Sequence, residues 1–144
     1  MEEASNIPLW VILISSIAAV LISICGKNPN LREAIIFFAA SIKLVLLLSL
    51  SPGVLNGKLY SFTIINLLPN VGLSFKVDGA GLLFALVSVT LWIPVTIYSI
   101  GLLRPNGDHS QTRFYSCFAI AISSTVAVAF SANLLTLFIF YEVL

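Results

Sequence analysis

Long apolar runs separated by short polar breaks set the pattern of this chain. Residues 8–25 form the first run, and Gly26-Lys27-Asn28-Pro29 breaks it. Pro8 suits a first helical turn, where its missing N–H is no loss. The second run covers residues 31–50, the third 79–100 and the fourth 113–131. A helix of ~20 residues crosses a ~30 Å hydrocarbon core, so each run predicts a transmembrane helix. A fifth apolar segment, 133–144, reaches only ~16 Å, about half that core. The expected fold is an all-α integral membrane protein. It is one membrane domain over 1–144, with about five helices at 8–25, 31–50, 79–100, 113–131 and 133–144. The fifth stops near the bilayer midplane.

Residues 51–77 read as the one long extramembrane stretch. It opens with Ser51-Pro52-Gly53 and carries Asn56-Gly57 before the run LYSFTII. Asn-Gly ahead of aromatic and β-branched residues is a hairpin signal, so a short β-hairpin or an interfacial strand on the membrane surface is expected. Asp78 stands where an N-cap of the third helix belongs. Pro94 falls inside that helix, frees the carbonyl of Thr90 and predicts a kink. Ser15, Ala19 and Ser23 recur every four residues, as do Ala119, Ser123, Ala127 and Ser131. Such small-residue stripes let another helix approach closely.

Composition agrees with this class. Of 144 residues 59% are hydrophobic and 9% charged, where soluble domains carry about 25% charged residues. No basic run is present to bind nucleic acid. The first charges are Glu2 and Glu3, whereas a signal peptide opens with basic residues, so the first span reads as retained. Cys25 and Cys117 have neither metal-site nor redox spacing. His109 sits in a polar loop and reads as a solvated side chain.

Lys27, Arg32, Arg104 and Arg113 flank one side of the membrane, and Lys58 and Lys76 the other. Lys/Arg excess marks the cytoplasmic side. The N-terminus is therefore expected outside, in the cytoplasmic membrane of a prokaryote or an equivalent energy-coupling membrane.

No catalytic triad, phosphate loop or metal-ligand cluster appears, and no cofactor is expected. Two ionisable groups lie deep. Lys43 falls ~18 Å along the second helix, where it can snorkel, pair with an acid or serve a proton path. Glu142 lies two residues from the end of the short fifth helix. An intramembrane acid is costly and reads as functional by default, so Glu142 is the candidate for proton transfer, with Lys43 as the other.

Three segments together resemble a known family: SFKVDGAGLLFALVSVTLWIPVTIYSIG at 74–101, RFYSCFAIA at 113–121 and ANLLTLFIFYEVL at 132–144. They are similar to the front part of the antiporter-like subunits of respiratory complex I, membrane-bound hydrogenases and multisubunit cation/proton antiporters. The Tyr-Glu-Val-Leu ending looks most like the D-type antiporter branch. The likeness covers about residues 70–144, and the first two helices only in hydropathy. It implies that Glu142 is the fifth-helix glutamate, which in the family pairs with a seventh-helix lysine. The sequence departs from the family in having no sixth or seventh helix. Two readings follow. One is a split or truncated antiporter-like subunit of a proton- or sodium-translocating complex, completed by a partner chain that supplies the remaining helices. The other is a non-transporting structural or assembly subunit. An independent small channel is a third, weaker reading.

Overall fold

A computed structural model describes residues 2–4, 6–25, 28–68, 71–105 and 110–144. The elements run β1 (Glu2–Ala4), α1 (Ile7–Cys25), α2 (Pro29–Leu55), β2 (Leu59–Leu68), β3 (Val71–Val77), α3 (Gly79–Leu103), α4 (Gln111–Ala129) and α5 (Leu134–Val143). Among the described residues, α1, α2, α3 and α4 are long and apolar enough to cross a membrane, and α5 is a shorter apolar helix. The molecule is thus an all-α membrane protein with one small β element, as the hydropathy pattern predicts. Gly26, Lys27, Asp108 and His109 lie outside the described residues.

Two features of the 51–77 stretch differ from the sequence reading. First, α2 does not stop at Leu50 but runs through Pro52 to Leu55. A proline inside a helix deprives the carbonyl four residues back of its donor, here Leu48. The Ser51 hydroxyl donates to that oxygen at 2.7 Å and makes good the loss. Second, Asn56-Gly57 is the end of this helix and not the turn of a hairpin. Gly57 has φ 77, its N–H donates to Val54 O at 3.0 Å, and Lys58 N–H donates to Gly53 O at 3.0 Å. This paired C-cap needs a left-handed residue just past the helix, which glycine supplies without strain.

The hairpin itself is formed by β2 and β3, antiparallel from Tyr60↔Val77 to Leu68↔Val71. β1 joins it in parallel, Glu2 facing Leu59 and Ala4 facing Ser61, which makes a three-stranded sheet. The far edge of β3 is covered by the link between α4 and α5. Lys76 N–H donates to Phe130 O at 2.7 Å and Ala132 N–H to Ser74 O at 2.9 Å. Ser131 therefore leaves the α4 stripe and pairs with Phe75 as an isolated bridge. The sheet thus ties the N-terminal segment, the α2–α3 connection and the α4–α5 connection together at one end of the helices.

The interior falls into two apolar layers. Near the sheet, Val11, Ile12, Leu47, Leu50, Val89, Val126, Ala127 and Phe130 pack around Phe75 and Val77. Toward the other end, Ala18, Ala19, Ile36, Ala39, Ala40, Trp92, Tyr115 and Ala119 form the second cluster. Buried polar residues fall in the seam between the layers: Ser15 on α1, Lys43 on α2, Ser123 on α4. Ser123 Oγ donates to Ile12 O at 2.7 Å and lies 2.9 Å from Ser16 Oγ. Hydroxyls satisfied in this way on small side chains let α1 and α4 approach closely.

Candidate functional site

Asp78 and Asn133 start the two helices nearest the sheet. Asp78 Oδ1 accepts from Gly81 N–H at 2.7 Å, the bond of a carboxylate N-cap. Gly81 is itself confined, since a Cβ there would lie 2.5 Å from Ala129 O on α4. Pro94 lies within α3, which continues to Leu103.

Asn133 holds α5 at two points. Its Oδ1 accepts from Thr136 N–H at 2.8 Å and its Nδ2 donates to Gly72 O at 2.6 Å. Thr136, fully buried, accepts at Oγ1 from Ser74 N–H at 3.1 Å. One turn further, Phe140 packs on Phe75 with ring centroids 5.5 Å apart. The first two turns of α5 are therefore fixed against β3. Sequence reading passed over Asn133 and Thr136; their signal was local, an Asn-x-x-Thr that places a side-chain acceptor three residues ahead of a helical N–H.

Glu142 lies in the last turn of α5 and is exposed on this chain. Among the described residues no ion pair or hydrogen bond reaches its carboxylate. The neighbouring face of α5 is apolar and open, with Phe138 and Tyr141 more than half exposed.

Lys43 is placed quite differently. It is fully buried, so its stem does not carry the ammonium out to an interface. Its Nζ donates to Ser15 Oγ on α1 and stands 6.0 Å from the centroid of the Trp92 ring on α3. The fold does not bring Lys43 and Glu142 together. Ser15 was read from sequence only as one of a small-residue stripe. Nothing local marks it as a lysine partner 28 positions away.

A third polar group closes the end of the helices remote from the sheet. Buried Arg32 donates to Gln111 Oε1 at 2.8 Å and to Thr112 Oγ1 at 3.4 Å, and its guanidinium lies 4.9 Å from the Tyr115 ring centroid. Glu33 pairs with Arg104 at 3.5 Å, and Arg104 also bonds Asn30. Arg32 and Glu33, adjacent on α2, thus fasten that helix to α4 and to α3 respectively. The pairing of flat guanidinium with ring face and side-chain oxygens is an arrangement that lysine would not reproduce.

The chain matches no protein-family model. Among curated proteins it is similar to the antiporter subunit mnhA2 of Staphylococcus haemolyticus, 31% identical over 93 residues, covering 63% of this chain and 11% of that protein. It is also similar to the Na(+)/H(+) antiporter subunit A1 of Staphylococcus aureus, 32% identical over 80 residues, covering 54% of this chain and 10% of that protein. The chain thus spans about a tenth of the length of these relatives. Both are A subunits, whereas the Tyr-Glu-Val-Leu ending looked D-type. Among solved structures it superposes on a chain of the membrane-bound sulfane sulfur reductase, an archaeal respiratory membrane complex, with a TM-score of 0.74 and 16% identity. That match covers 92% of this chain and 20% of that one, and it speaks for the fold. These likenesses bear out the resemblance to antiporter-like membrane subunits over the part of the chain they cover.

Proposed function

We propose that this chain works in an ion-translocating, antiporter-like membrane assembly, with Glu142 as the carboxylate that takes up and releases protons. The observation that carries this reading is the placement of Glu142. It stands in the last turn of an apolar helix whose beginning is fixed on the sheet, on a face with no partner among the described residues. A charge at such depth needs a polar or cationic neighbour, since a lone one costs a few kcal/mol or more. The neighbour that fits is a cation on another transmembrane helix. A carboxylate facing such a cation can hand a proton on to it or take one from it, the elementary step of a relay through the membrane. The relatives named as antiporter subunits support the same class of chemistry. The Lys/Arg distribution supports an N-terminus and sheet on the outer side of the membrane.

The test is Glu142→Gln in the assembled complex, which keeps shape and hydrogen bonding but removes the titratable charge. Assembly, read on native gels, is expected to be normal. Ion-driven pH change in inverted vesicles is expected to fall by about two orders of magnitude, the scale of losing a proton-transfer group. Normal transport by an assembled variant would refute the role.

One observation favours a second reading, a structural subunit that does not translocate ions. Lys43, the other deep ionisable group, bonds inside the helix bundle and not to Glu142. Under that reading Glu142→Gln transports normally and its defect, if any, is in assembly.

A further inference from the structure

Where α1, α2 and α3 meet, the buried side chains Ser15, Lys43 and Trp92 carry more hydrogen-bond donors than acceptors between them. Lys43 is fully buried, and its ammonium carries three N–H bonds, of which one goes to Ser15. Ser15, also fully buried, keeps its own O–H after accepting that bond. Trp92 is 1% exposed, and its indole Nε1–H has no hydrogen-bond partner among the described residues. An indole N–H can only donate, as can an ammonium. The Trp92 ring does not resolve the excess, because 6.0 Å from the centroid is the outer limit of cation–π attraction.

The acids among the described side chains do not resolve it either. Glu33, ten positions before Lys43 on α2 and so ~15 Å away along the helix, pairs with Arg104. Asp78 caps α3. Glu142 is exposed at the end of α5. Ser15 of α1, Lys43 of α2 and the Trp92 ring of α3 thus meet in one buried region of a membrane-spanning interior, where neither bulk water nor lipid satisfies a spare donor.

We propose that Ser15, Lys43 and Trp92 form a binding site for a small hydrogen-bond acceptor, a water molecule or a halide ion, held between α1, α2 and α3. Both candidates share the needed chemistry: a compact acceptor that takes N–H bonds from two sides. Water also donates onward to a main-chain carbonyl, whereas a halide offsets the ammonium charge. The site does not depend on whether Glu142 carries protons. It assigns Lys43 a ligand of its own and makes Trp92 a reporter of its occupancy.

The experiment uses the full chain in lipid with Trp10→Phe, which leaves Trp92 as the sole indole. Trp10 is 54% exposed, so this change leaves the interior intact. Ultraviolet resonance Raman reads whether an indole N–H is hydrogen-bonded. In chloride buffer the Trp92 marker band is expected at its bonded position. Lys43→Met, folded by circular dichroism, is expected to move it to the free position by removing the other half of the site. Replacing chloride with gluconate identifies the acceptor: a shift to the free position means halide, and an unchanged band means water. A free N–H in the Trp10→Phe chain itself overturns the proposal without recourse to any change at Lys43. A bonded band that persists in folded Lys43→Met also overturns it, because the acceptor is then not shared.

Discussion

The Thr136 hydroxyl on α5 accepts the main-chain N–H of Ser74 on β3 at 3.1 Å, so the helix that carries Glu142 is joined to the sheet through a side chain. Loss of that oxygen leaves a partly buried β3 donor without its acceptor. Thr136→Val is therefore expected to destabilise the fold by about 1–3 kcal/mol, and Thr136→Ser by much less. Thermal unfolding of the two variants in the same detergent checks the order. Equal stability of Thr136→Val and wild type would show that the bond contributes nothing.

Gly81 sets the approach of α3 to α4 at the sheet end. A methyl group there meets the Ala129 carbonyl at 2.5 Å, and that atom belongs to a helix backbone that cannot swing aside. Gly81→Ala is expected to cost about 1–3 kcal/mol as overpacking, despite alanine being the better helix former. Gly79→Ala, with open space at its Cβ, is the control and is expected to be near neutral.

Ala127 is fully buried in the layer that includes Val11 and Ile12 of α1. Ala127→Leu inserts three carbons into that contact and is expected to lower stability by about 1–3 kcal/mol. Wild-type melting behaviour would mean that the α1–α4 contact is loose.

The proposed outward orientation of the sheet is tested by labelling. In a background lacking Cys25 and Cys117, a cysteine at Asn56 is expected to react with an impermeant thiol reagent applied from outside. One at Asp108 is expected to react only after the membrane is opened. The reverse pattern would invert the topology.

The helical spans were legible because hydropathy over ~20 residues is a strong and local signal. The end of α2 was not. Ser51-Pro52-Gly53 has the composition of a break, yet a serine hydroxyl next to the proline repairs the one bond the proline removes. Asn56-Gly57 misled for a related reason: a left-handed glycine serves a hairpin turn and a helix C-cap equally well. At the candidate site, Lys43 stood out in the sequence because a charge interrupts an apolar run. Its partner Ser15 and the donor on Trp92 did not, since both relations exist only once three helices are packed. β1 was illegible for the same reason: three residues carry no periodicity, and their pairing is made with a segment far along the chain.

That pairing bears on the order in which the molecule can assemble as it is made. Residues 2–4 cannot find their neighbours until 59–61 exist, by which time α1 and α2 have both been synthesised. The edge of β3 cannot be covered until Phe130 and Ala132 follow, after two further helices. The far edge of β3 is therefore closed only after α4 has been made, and contacts of such long sequence separation form slowly. Until 59–61 are made the N-terminal strand has to wait on its own side of the bilayer, and a chain that ended before residue 130 would leave the far edge of β3 without its cover.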